Sequence, residues 1–159
     1  MPARRHLLVT AMAITAVVVS GCMNTSSPDD NTPTTGISTQ WFAAPSGKYL
    51  VQGAILQKYL AAGASNSALG SPITSEQAGP NGGRYNTFEG GAIYWTLETG
   101  AHIVTGDIRN AWQHDYGGAG GALGYPASDQ QLTSGGLTQH FQHGAIVYAN
   151  GRPQILNQP

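Results

Sequence analysis

Residues 40 to 159 repeat one pattern at a shift of 53 or 54 positions, and this self-similarity restricts the fold more than any local motif does. Val51-Gln52-Gly53-Ala54-Ile55 with Tyr59 matches Val104-Thr105-Gly106-Asp107-Ile108 with Trp112. Ala68-Leu69-Gly70-Ser71-Pro72 matches Ala122-Leu123-Gly124-Tyr125-Pro126, Phe88 matches Phe141, and Gly91-Ala92-Ile93 matches Gly144-Ala145-Ile146. Trp41 with Gly47 and Gly53 mirrors Trp95 with Gly100 and Gly106, and more loosely Tyr148 with Gly151. The pattern divides the chain into a half unit at 40–52, a unit at 53–105 and a unit at 106–159.

Each unit reads as α+β. Ile55, Lys58 and Tyr59, like Ile108, Ala111 and Trp112, lie at helical spacing over about two turns, and each helix stops at glycine. Arg84 to Phe88 reads as a strand, Glu89-Gly90-Gly91 as a tight turn, Ala92 to Thr96 as the next strand, and Ala101 to Val104 as a third. Leu137 to Phe141, Ala145 to Tyr148 and Pro153 to Leu156 repeat the series. With 22 glycines and nine prolines the chain is turn-rich. Three short antiparallel strands and one short helix bury too little by themselves, so the tandem units are expected to share one core.

The ends of the composition are equally telling. Only 9% of residues are charged, seven basic against eight acidic, so no basic excess exists to grip phosphates and a nucleic-acid partner is not expected. Arg4, Arg5 and His6 precede an apolar stretch from Leu7 to Val19. At about 1.5 Å per residue that stretch reaches roughly 20 Å, short of the ~30 Å a spanning helix must cross, so residues 1–21 read as a secretion signal. Val19-Ser20-Gly21-Cys22 resembles the lipobox of bacterial lipoproteins, in which the cysteine thiol takes a diacylglycerol and becomes the mature N-terminus. Cys22 is the one cysteine of the chain and stands where the lipobox needs it. From Met23 to Thr39 the residues are mostly Thr, Ser, Asn, Asp, Pro and Gly, the composition of a disordered tether. Residues 22–39 are thus read as lipidated cysteine plus tether, and 40–159 as the folded domain.

The repeated residues resemble a known family. Leu69-Gly70-Ser71-Pro72 and Leu123-Gly124-Tyr125-Pro126, then Gly83-Arg84-Tyr85, Phe88-Glu89-Gly90-Gly91-Ala92-Ile93-Tyr94-Trp95, Thr99-Gly100-Ala101-His102 and Gly106-Asp107-Ile108, look like the LGFP repeat. In actinobacteria such repeats occur on secreted wall-associated proteins, fused to mycolyltransferases and wall hydrolases or carried on lipoproteins. The resemblance implies a membrane-anchored, palmitate-bearing lipoprotein that faces the cell wall, binds arabinogalactan or peptidoglycan without catalysis and supports envelope integrity. The second copy departs from the pattern, with Gln142 and His143 after the Phe and Thr138 in place of Tyr85.

Catalytic candidates are few. His140 and His143 are poorly spaced for joint metal ligation from a strand, and Glu89, Glu98, Asp107, Asp115 and Asp129 are scattered over turns and caps. No metal, cofactor or enzymatic activity is expected. Trp41, Trp95 and Tyr148, Tyr59 and Trp112, and Phe88 and Phe141 occupy matching positions and read as core layers. Tyr85, Tyr94, Tyr116 and Tyr125 lack an aromatic partner in the other unit, which fits an exposed face that stacks on sugar rings. The expected ligand-binding residues are Arg84, Tyr85, Glu89, Tyr94, His102 and Tyr125, with Cys22 as the lipidation site. The alternatives are a module that docks on envelope proteins or on itself, and an accessory wall hydrolase.

Overall fold

The computed structural model describes residues 37–156, so the expected leader at 1–21, Cys22 and the tether as far as residue 36 lie outside the described residues. In chain order the elements are β1 (Thr39–Ala44), β2 (Gly47–Gln52), α1 (Gly53–Ala61), β3 (Gln77–Ala78), β4 (Arg84–Phe88), β5 (Gly91–Thr96) and β6 (Gly100–Thr105). There follow α2 (Gly106–Asp115), β7 (Gln131–Thr133), β8 (Gly136–Phe141), β9 (Gly144–Ala149) and β10 (Arg152–Leu156). The fold is mixed α+β. A β1-β2 hairpin stands beside two antiparallel sheets of order β3-β4-β5-β6 and β10-β9-β8-β7. The strands β3 and β7 extend each unit beyond the expected three; they are too short and too exposed to carry an apolar alternation.

Where one core was expected, the buried residues form two clusters on opposite faces of the middle sheet, the second drawn from both tandem units. Val51, Ile55, Leu56, Tyr59, Leu69, Phe88 and Ile93 form the first, built around α1. Ala92, Tyr94, Val104, Ile108, Trp112, Leu123, Tyr125, Phe141 and Ile146 form the second, built around α2. Strand geometry causes the division: successive side chains point to opposite faces, so Ile93 joins α1 while its neighbours Ala92 and Tyr94 join α2.

Both clusters are organised by the same aromatic triplet. The Tyr59 ring meets Phe42 edge-on at 5.0 Å and Phe88 at 4.4 Å. Trp112 meets Tyr94 edge-on at 4.8 Å and stacks on Phe141 at 5.4 Å. The register explains the equivalence, because Thr39 pairs with Gln52 and Gly91 with Thr105, the residues just before each helix. Phe42 therefore corresponds to Tyr94, and Trp41 to Ile93. The expected match of Trp41 with Trp95 is two residues out: it takes a shift of 54 where the helix starts are 53 apart, and the β1-β2 turn is one residue shorter than the β5-β6 turn. Trp41 consequently leaves the core and is 63% exposed on the face away from α1.

Each helix aromatic also ties down the Leu-Gly turn. The Tyr59 hydroxyl donates to the Gly70 carbonyl at 2.7 Å and the Trp112 indole N–H to the Gly124 carbonyl at 3.1 Å. Gly70 and Gly124 have φ of +68° and +67°, a left-handed conformation that disfavours a side chain, and a Cβ at either position would strike the side chain of Glu89 or Gln142. Those side chains close the turn from the other direction: Glu89 Oε2 accepts the Ser71 N–H at 3.0 Å, and Gln142 Oε1 accepts the Tyr125 N–H at 2.8 Å.

The junctions between successive segments are made by buried amides. The strands β2 and β6 each end a sheet, leaving backbone groups that need partners. Asn86, fully buried on β4, donates to Leu50 O and Thr74 O, both at 3.1 Å. Gln139, fully buried on β8, donates to Ile103 O at 2.9 Å and Ser128 O at 2.8 Å. The N–H groups of the same two edge residues are met by Ser75 Oγ at 3.0 Å and Asp129 Oδ1 at 2.9 Å. Replacing Gln139→Ala strands two buried carbonyls and opens a cavity. It is expected to lower the unfolding free energy by about 2 to 4 kcal/mol. His140→Ala, at the exposed neighbour, should stay within about 0.5 kcal/mol of wild type. Urea denaturation of both variants measures the difference.

Candidate functional site

Two clefts lie on opposite faces of the β4-β5 pair, because Arg84 pairs with Trp95 and Tyr85 with Tyr94. The first, of about 460 Å³, is lined by Gln77, Pro80, Tyr85, Thr87, Tyr94 and Gln113 together with the Gly117–Gly120 loop after α2. Its lining carries no charged side chain. Tyr85 is half-buried and stacks on Tyr94 with ring centres 5.2 Å apart and planes 17° apart. Gln113 donates through Nε2 to the Tyr94 hydroxyl at 3.0 Å. Burial pushes the Tyr94 phenol up from its ordinary value, so it stays protonated and is itself a donor.

The six expected ligand residues do not form one face. Tyr85 and Tyr94 share the first cleft, but Tyr94 is not the exposed ring expected: it is 6% exposed, with Phe42 as its counterpart, and serves as the floor under Tyr85. Tyr125 is likewise not a surface contact. It is buried over Gly79 and Gly83, its hydroxyl donates to Pro80 O at 2.7 Å, and burial raises its phenol. It is a core residue that binds the second Leu-Gly turn to the preceding segment. Glu89 is exposed, but its carboxylate already holds the Ser71 N–H, and Gln142 supplies the same bond in the second copy. Its replacement there preserves a turn contact. Arg84 is exposed and lines the second cleft, on the face opposite Tyr85.

His102 lies on β6 and belongs to a cluster with Lys58 and Asp129. Its Nε2–H donates to Thr99 O at 2.7 Å while Nδ1 stands 3.6 Å from Asp129 Oδ1. Lys58 of α1 pairs with the other oxygen of Asp129. Among the described residues no group of three or more His, Cys, Asp or Glu is placed to hold a metal, and no helix is long and apolar enough to cross a membrane.

Comparison with known families supports the repeat reading. The LGFP repeat model matches residues 69–121 and 123–154, more than half of the chain. The chain belongs to the LGFP repeat family. A search of curated proteins found no match. Within the LGFP segments, the two Leu-Gly turns keep the same hydrogen bonds from Tyr59 or Trp112 and from Glu89 or Gln142, whereas the cleft residues differ, Tyr85 standing where the second segment has Thr138. Gln77, Thr87 and Gln113 escaped the sequence reading because neutral polar residues on strands and helices look like ordinary surface. Trp95, read as core, is half-buried and lines the second cleft.

The charged cluster makes a pH-dependent contribution to the LGFP domain. Burial opposes the Asp129 charge, but the Lys58 ammonium, the Ile103 N–H and His102 together hold its carboxyl below the usual carboxylate range. Folding thus lowers this pKa, so the pairing stabilises the fold above the ordinary carboxylate value of about 3.9. That stabilisation fades as pH falls through the lower folded value. Between about pH 5 and about pH 2 the Tm of the wild type is expected to fall more steeply than that of Asp129→Asn. Parallel thermal melts across that range measure the slopes.

Proposed function

We propose that this protein is a non-catalytic lipoprotein that attaches to a wall polysaccharide or peptidoglycan and so supports envelope integrity. The observation that carries the reading is the first cleft: an open, uncharged groove with the half-exposed Tyr85 ring beside Gln77, Thr87, Gln113 and the Tyr94 hydroxyl. Aromatic faces with neutral hydrogen-bonding groups suit sugar rings, and a ring already stacked on a second ring is held in place before binding. The mature chain from Cys22 carries five basic and eight acidic residues, so contact with the wall is short-range.

Protein-free walls sedimented with the protein test this. Tyr85→Ala should cut retention about tenfold, as loss of an aromatic anchor does. Retention of the wild type should persist at high salt. Retention that vanishes at modest salt, or a Tyr85→Ala variant that binds like wild type, rejects the glycan reading. In that event the second reading, docking on envelope proteins, gains from the exposed apolar residues Leu97 and Leu132, which are 92% and 85% exposed, and from Trp41.

The anchor is tested separately. Cys22→Ser should leave an uncleaved precursor or a released form without the acyl mass, read by mass spectrometry of the membrane fraction. A wild-type mature N-terminus at any other residue would contradict the lipoprotein assignment.

A further inference from the structure

The second cleft, about 450 Å³, lies on the face of the β4-β5 pair opposite the groove of Tyr85. Trp95 and Arg84, cross-strand neighbours, form one side, Ala54 and Ile55 of α1 another, and Gln52 with Glu76 the third. Gln52 Nε2 donates to Glu76 Oε1 at 3.0 Å, which fixes the carboxylate in place. Arg84 has no hydrogen-bond or ion-pair partner among the described residues.

The second segment carries different residues at the matching position. There Tyr148 stands for Trp95 and pairs with Leu137 in place of Arg84. The second residue of α2 is Asp107, whereas the second residue of α1 is Ala54. The strand pairing is the same in both segments, β4 with β5 and β8 with β9 in matching register. The first segment thus has a methyl group where the second has a carboxylate, and an arginine where the second has a leucine.

The geometry points to this cleft as a binding site for the free C-terminus of a short apolar peptide, with the terminal carboxylate on Arg84, the last amide N–H on Glu76 and the aliphatic side chain against Trp95 and Ile55. Each partner follows from chemistry. The guanidinium fork matches one carboxylate in two parallel hydrogen bonds. Glu76 accepts an N–H and repels a second carboxylate, which disfavours diacids. The walls between them are apolar and aromatic, which suits a small aliphatic group and not a second polar one. This site is independent of the glycan reading, since it uses neither Tyr85 nor the first cleft.

The test is a titration of ¹⁵N-labelled protein, read at the indole N–H signals of Trp41, Trp95 and Trp112. The probe is N-acetyl-alanyl-alanine, compared with its C-terminal amide and with octanoate. The acid should shift Trp95 in a saturable manner, with the amide and octanoate each at least tenfold weaker. Arg84→Gln should weaken the acid at least tenfold, and Ala54→Asp, which copies the second segment and adds a competing carboxylate to the cleft wall, should abolish the response; both should keep the wild-type Tm. Tyr85→Ala should leave the titration unchanged, so that failure here and failure of wall binding are told apart. No Trp95 shift at the solubility limit, equal response to acid and amide, or an Arg84→Gln variant that binds like wild type overturns the proposal. A response to octanoate as strong as to the peptide overturns it as well, in favour of a simple aliphatic-acid site.

Discussion

A β-strand at the end of a sheet carries backbone N–H and C=O groups without strand partners, and this chain ends a sheet at β2 and again at β6. Both edges are met by side chains from the segment that follows. The fully buried amides of Asn86 and Gln139 each donate to the edge carbonyl and to one loop carbonyl, and an oxygen of Ser75 or Asp129 receives the edge N–H. Because a stranded buried polar group costs about 1 to 3 kcal/mol, these contacts set the spacing between segments more firmly than apolar packing, which tolerates sliding. The position of each helix between two sheets, and hence of both clefts, depends on that spacing.

Around this frame the two segments keep the same internal logic with different residues. An aromatic on the helix packs between two rings and bonds the carbonyl of the Leu-Gly turn, through a phenol in one case and an indole in the other. A carboxylate or an amide closes the turn from outside. Contacts made with the backbone are therefore matched in kind. The faces that look outward are not: Tyr85 corresponds to Thr138, Arg84 to Leu137, and Ala54 to Asp107. The architecture is common to both segments, while the chemistry available to a ligand belongs to the first.

Strand alternation gives one hairpin two clefts. Arg84 and Tyr85 are adjacent in the chain, yet their side chains serve clefts on opposite faces, and the same holds for Tyr94 and Trp95. The uncharged groove suits hydroxyl-rich polymers, whereas the arginine-bearing cleft suits a single carboxylate beside an apolar group. A middle sheet packed by helices on both faces is what lets so short a hairpin support both.

The repeat period, the Leu-Gly turns, the helix positions and most strands were legible in the sequence, because glycine conformation and apolar spacing are local properties. Arg84 to Phe88 reads as a strand and is one, and Tyr59 and Trp112 read as core and are fully buried. What only the tertiary structure decided depends on register and on partners distant in the chain. One residue's difference in turn length moved Trp41 to the surface and made Phe42 the counterpart of Tyr94. The ring of Tyr125 is buried because Gly79 and Gly83 leave room for it some forty residues earlier. Asn86 and Gln139 look like surface amides in sequence, since nothing local reveals that the carbonyls of Leu50 and Ile103, 36 residues earlier, need donors. Backbone conformation is set by each residue and its neighbours, whereas burial is set by what the folded chain brings opposite them.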